Sequence, residues 1–164
     1  SFLYATLNQA LRLLEADVIV AMGLFLHDLH RQIQQLHHDQ LPHYHGQSFV
    51  VYRGQALSQK DFRNLVSRRG GLMSFNNFLS TSGDRDTSVA FVRSLEKMLN
   101  IEKVLFILEI NPALTNTPFC QVREYSYYPG EAEILFSMNT VFRIGQHTEE
   151  PEFNTIHLTL TTDD

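Results

Sequence analysis

Apolar positions change their period once along the chain. Up to about residue 48 they recur at helical spacing: Leu3, Leu7, Leu11 and Leu14, then Val18, Met22, Phe25, Leu26, Leu29, Ile33 and Leu36. A stripe that returns every three to four residues puts one side of a helix against a core. The spacing predicts two helices, over residues 3–15 and 18–39, with a break or bend at 16–17. The pattern stops before Pro42, as expected where a proline disfavours helix in the residue ahead of it.

Beyond residue 48 the pattern turns strand-like. Phe49-Val50-Val51-Tyr52 reads as a short buried strand. A helix over 59–69 follows, with Ser58 as N-cap and Gly70-Gly71 as its stop. Residues 72–75 and 78–81 flank Asn76-Asn77, a turn signal. A second helix over 84–98 starts after Ser82 and Asp84. Strands are predicted at 103–110, 118–122, 131–136, 140–145 and 155–161, punctuated by Pro112, Pro129-Gly130 and Pro151. A helical front followed by a run of strands implies α+β architecture, not alternating βαβ units. The expected organisation is one domain over 1–164, with a helical lobe at 1–47 and a β-rich core at 48–162.

Composition narrows the function classes. The chain has 164 residues, 43% hydrophobic and 19% charged, which suits a folded domain with a real core. Thirteen basic against eighteen acidic residues give a net charge of −5, so no basic surplus exists to displace counterions from a nucleic acid. The longest early apolar stretch, residues 16–26, contains Asp17 and is too short to span a bilayer. It has neither the basic n-region nor the cleavage site of a signal peptide. Cys120 is the single cysteine, so no internal disulfide can form, which favours an intracellular setting.

Three segments carry candidate chemistry. Tyr52-Arg53-Gly54 places an arginine at the end of a buried strand, beside a glycine. Phe78-Leu79-Ser80-Thr81-Ser82 is an alternating strand with two hydroxyls on one face. In Glu131-Ala132-Glu133-Ile134-Leu135-Phe136, strand alternation puts Glu131 and Glu133 on one face and Ala132, Ile134 and Phe136 on the other. Two carboxylates this close resist ionisation together unless donors or a cationic ligand lie nearby. Taken singly, each segment has a plainer reading. The glutamates can blunt a sheet edge, the arginine can sit in a surface ion pair, and the hydroxyls can cap the next helix.

In this order and spacing, the three resemble the R-S-E signature of the arginine-type mono-ADP-ribosyltransferases, the Glu-x-Glu class. Domains of that kind occur in multidomain invertebrate proteins with tetratricopeptide repeats, in vertebrate ecto-enzymes and in bacterial toxins. The resemblance covers about residues 48–162, and the segments Ser74 to Ser82 and Glu133 to Phe136 carry most of it. It implies two packed, mostly antiparallel sheets that form an NAD cleft. It also implies cleavage of the nicotinamide–ribose bond and transfer of ADP-ribose to the arginine of a target protein. Glu133 is then the carboxylate that stabilises the oxocarbenium-like centre, and Glu131 the one that orients and deprotonates the acceptor guanidinium. Arg53 holds the NAD phosphate and ribose, and Gly54 lets the backbone approach the carboxamide. Ser80 fixes the Glu133 rotamer. Thr81 and Ser82 complete the NAD-binding set by supporting the strand and starting the next loop. The segment Arg123 to Gly130 becomes the acceptor-recognition turn, with Tyr125, Tyr127 and Tyr128 either facing a target or packing at a strand edge. Arg85 is a further candidate for a phosphate contact, although a solvated surface arginine is the plainer reading.

Alternatives stay open at this point. An NAD glycohydrolase, with water as acceptor, needs the same residues. A catalytically silent NAD-binding or protein-interaction module could keep the fold alone. Six histidines fall between His27 and His45: His27, His30, His37, His38, His43 and His45. They lack the companion ligands and fixed spacing of a zinc site, so no metal is expected and solvated or capping roles are. Cys120 has no partner histidine in a recognisable motif and reads as a buried inert thiol. No phosphate-binding Gly-x-x-x-x-Gly-Lys loop is present.

Overall fold

A computed structural model of the chain describes residues 16–161 apart from 76, 115–116, 123–132 and 139, with side chains from Phe25 onward. Helix α1 spans Ala16–Gln40. The helix predicted over 3–15 lies outside the described residues. A 3-10 turn, Leu41–Tyr44, takes Pro42 at its start and closes through His45 and Gly46 at φ of 50° and 70°. Strand β1 then runs from Phe49 to Ser58, ten residues where four were expected. The extra length comes from its neighbour. Strand β4, Ile101–Ile110, pairs with all ten residues, from Phe49↔Ile110 to Ser58↔Ile101.

Two short helices follow the sequence signals closely. Helix α2, Gln59–Ser67, is capped by Ser58, whose Oγ accepts from the Asp61 N–H at 3.1 Å. Helix α3, Arg85–Ser94, is capped by Asp84, which accepts from the Asp86 N–H at 3.0 Å and the Thr87 hydroxyl at 2.7 Å. It stops short of residue 98 because Leu95 is already extended, at φ −64° and ψ 135°. The other strands are β2 (Leu72–Ser74), β3 (Leu79–Ser82), β5 (Phe119–Gln121), β6 (Glu133–Phe136), β7 (Val141–Glu149) and β8 (Asn154–Leu160). The turn signal at 76–77 does not join a hairpin: β2 pairs with β7, while β3 pairs with β1 and β6. Strand β7 outruns its predicted end at 145 because a bulge between Ile144 and His147 lets its pairing with β8 continue.

Among the described residues, eight strands form one sheet in the order β2-β7-β8-β4-β1-β3-β6-β5. All its ladders are antiparallel except β4 with β8. Two separate packed sheets were expected; the ladder is continuous, but it folds over. Four strands lie between β6 and β7, a separation of about 24 Å in a flat sheet at ~4.8 Å per strand. Yet the rings of Phe136 on β6 and Phe142 on β7 lie 5.9 Å apart. The fold-over falls at β1 and β3, which share one register pair, Tyr52↔Ser82. The two halves enclose a core of Val51, Phe106, Phe119, Phe136, Phe142 and their neighbours. Outside it, α3 packs Val89 and Val92 on Leu105 of β4. Helix α1 packs Ile33 with Phe78 and Cys120 across β5 and β6. The result is the α+β class read from the sequence.

Candidate active site

Strands β3 and β6 run antiparallel in the register Leu79↔Phe136, Ser80↔Leu135, Thr81↔Ile134 and Ser82↔Glu133. Alternation then sorts the side chains. Leu79, Thr81, Ile134 and Phe136 are buried on the core side. Ser80, Ser82 and Glu133 share the other face, half-buried. Across that face the Ser80 hydroxyl donates to Glu133 Oε1 at 2.9 Å. A donor aimed at one carboxylate oxygen fixes the side chain's rotamer.

Arg53 reaches the same place from the other half of the sheet. It lies in the middle of β1, not at its end, because the ladder to β4 continues five residues beyond it. Its Nη1 donates to the Ser80 carbonyl at 3.4 Å, and its buried Nε has no hydrogen-bond partner. Ser80 thus links three segments far apart in sequence: its backbone meets Arg53 and its side chain meets Glu133. Arg53 also lines a cavity of about 770 Å³, together with Gln55, Phe75, Phe78, Phe91 and Phe106. That volume lies inside the ~300–1,000 Å³ common for small-molecule sites. A guanidinium beside an aromatic-walled cavity is equipped to hold an anionic, ring-bearing ligand.

The neighbouring sequence candidates divide. The Thr81 hydroxyl faces inward and donates to the Ile134 carbonyl at 2.9 Å, tying β3 to the strand of Glu133. Ser82 accepts from the Asp84 N–H at 3.1 Å and starts the turn into α3. Gly54 lines the same cavity as Arg53 and also lies against α3. A Cβ there would lie 2.5 Å from Val92 Cγ2 and 2.9 Å from Phe91 Cδ1, so its bare face admits α3. Arg85 is an exposed residue of the first turn of α3. Glu131, Ala132 and the turn at 123–130 lie outside the described residues.

The sequence of residues 2–163 matches the family model described as ADP-ribosyltransferase exoenzyme. The chain belongs to that family. Solved structures agree in fold. The Vis toxin, an ADP-ribosyltransferase from Vibrio splendidus, superposes with TM-score 0.62 at 22% identity, covering 96% of this chain and 67% of its own. Vis in complex with agmatine gives TM-score 0.56 at 23% identity over 71% of this chain and 50% of that one. The catalytic domain of VahC from Aeromonas hydrophila gives 0.57 at 16% identity, over 88% and 72%. This exoenzyme-family chain thus spans about half the length of the agmatine-bound Vis chain. No curated protein matches it.

Two histidines have roles the sequence missed, whereas Cys120 is the buried thiol it was read to be. The expected solvated histidines include two packed ones. His30 Nδ1 meets the Ser137 hydroxyl, and His37 Nδ1 lies 3.1 Å from the Phe119 carbonyl. Burial pushes the His37 imidazole below its ordinary value, against the opposing pull of the Phe119 carbonyl. Among the described residues, no group of three or more metal-ligating side chains converges. No described helix is long and apolar enough to cross a membrane. Cys120 is buried, and desolvation, with the Glu133 charge adding to it, pushes its thiol up to about 11. Such a thiol holds its proton and is a poor nucleophile.

Proposed function

We propose that this domain cleaves NAD at the nicotinamide–ribose bond and transfers ADP-ribose to arginine side chains of a protein target. The observation that carries this reading is the Ser80–Glu133 hydrogen bond, with Arg53 held on the same serine. In the reaction the C1′–N bond breaks, its electron pair leaves with neutral nicotinamide, and positive charge develops on the ribose. A carboxylate fixed beside that charge stabilises it more in the transition state than in bound NAD. Glu133 takes this role, with its rotamer set by Ser80. Arg53 holds the phosphates and faces the cavity that receives the rings. The acceptor nitrogen attacks C1′ and must lose a proton, which a free guanidinium holds with a pKa above ~12. Glu131, two residues before Glu133, is assigned to orient it and take that proton. The agmatine bound to Vis is a guanidinium compound, and it supports arginine as the acceptor class here. NAD is a substrate, and the reaction needs no metal.

The test is nicotinamide release by the purified chain, with and without agmatine, with products resolved by mass. ADP-ribosyl-agmatine is the expected product. Free ADP-ribose alone, with agmatine and with protein acceptors, would establish the glycohydrolase instead. Absence of release with intact NAD binding would establish a silent binding module. Glu133→Gln is expected to abolish both transfer and hydrolysis, whereas Glu131→Gln suppresses transfer and spares much of the hydrolysis.

A further inference from the structure

Helix α1 meets the sheet through polar side chains as well as apolar ones. Among the described residues, strand β5 is an edge, with β6 on one side only. On its other side Gln40 acts as a missing strand would. Its Nε2 donates to the Gln121 carbonyl at 3.1 Å, and its Oε1 accepts from the Gln121 N–H at 2.7 Å. Three residues earlier, His37 occupies the next outward position, with Nδ1 3.1 Å from the Phe119 carbonyl and its ring edge-on to Phe119 at 4.6 Å. Two turns further back, His30 meets the hydroxyl of Ser137, the residue after β6. Ile33, 1% exposed, fills the space between these contacts. Residues at i and i+3 share a helix face, and outward strand positions recur at i and i+2, so one face of α1 serves one edge of β5. Strand β6, which β5 supports, carries Glu133.

We propose that α1 is a positioning strap for the Glu133 strand, released by acid through His37. It rests on the transferase reading above. Gln40, His37 and His30 are positioning residues: they hold β5 and β6, and β6 presents the carboxylate. The half-buried His37 favours the neutral ring while α1 is docked. Among the described residues, His38 on the same helix acts on it, and Tyr44 packs on the same Phe119 ring. His38 adds to the burial effect and the Phe119 carbonyl opposes it. A docked helix therefore binds fewer protons at His37 than a released one. Docking is intact above the ordinary histidine value of 6.5 and weakens as pH falls below it.

Cys120, the one cysteine of the chain, gives a readout apart from activity, because it is 2% exposed beneath Ile33. Labelling by 4,4′-dithiodipyridine, referenced to the denatured protein at each pH, measures release of α1. In the wild type, labelling rises and the kcat of nicotinamide release falls together as pH drops below 6.5. His37→Gln, which keeps a donor but does not titrate, flattens both curves and stays within about twofold of wild type at pH 8. Gln40→Glu keeps the shape and loses one donor; kcat at pH 8 falls about fivefold with KM for NAD little changed. Identical pH curves in the wild type and His37→Gln would overturn the proposal, and so would a Gln40→Glu effect confined to KM. If the wild type releases no nicotinamide at any pH, the transferase reading fails. The labelling curves then still decide whether acid frees α1.

Discussion

Ser80 and Gly54 show how much one position can fix. Ser80 spends its carbonyl on Arg53 and its hydroxyl on Glu133, so its removal acts on geometry more than on stability. Ser80→Ala is expected to cost about 1 kcal/mol or less in urea unfolding, since the group is half-buried and water can replace it. The same variant should lose about tenfold or more in kcat, because the Glu133 rotamer is no longer set. Gly54→Ala reverses that balance. The new methyl meets Val92 at 2.5 Å and the Ser88 carbonyl at 3.2 Å, on a helix backed by the sheet. Overpacking of this kind costs about 1–3 kcal/mol, read as a lower urea midpoint at unchanged slope.

At the scale of elements, the sheet edge and its helix form a unit. Strand β5 has three residues and β6 four, too few to stand without cover. Helix α1 supplies that cover through Ile33 and the polar contacts of His37 and Gln40. Ile33→Ala is expected to destabilise by about 2–4 kcal/mol, from lost transfer energy and the cavity left behind. It should also raise Cys120 labelling in the native protein, which a mass-resolved thiol assay detects. The caps of α2 and α3 were legible in advance, because Ser58 and Asp84 act on N–H groups two or three residues away. The full length of β1 was not. The strand was read only over Phe49–Tyr52, and pairing with β4, as far as Ala56↔Lys103 and Ser58↔Ile101, carries it on.

For the molecule as a whole, the fold-over of the sheet is the decisive event. It brings Phe136 to Phe142 and lets Phe75 contact both Phe106 and Phe142 at 5.5 and 5.8 Å. These rings close the core between the halves that carry Arg53 and Glu133. Phe142→Ala is expected to cost about 3–5 kcal/mol, the usual range for a buried phenylalanine. Calorimetry should show the loss in a single transition if both halves share one core.

The sequence by itself determined the α+β class, the helix caps, the alternation that separates Glu133 from Ile134, and the three segments proposed to carry the chemistry. Each of these depends on neighbours a few residues away, where period and residue type act directly. Tertiary structure decided the rest: that Arg53 lies within a ten-residue strand, that Gly54 admits a helix, that Thr81 faces the core, and that His37 braces β5 while His30 meets the residue after β6. Those outcomes depend on which distant strand or helix arrives at each face. That choice is made by burial of the whole apolar surface, not by any local pattern.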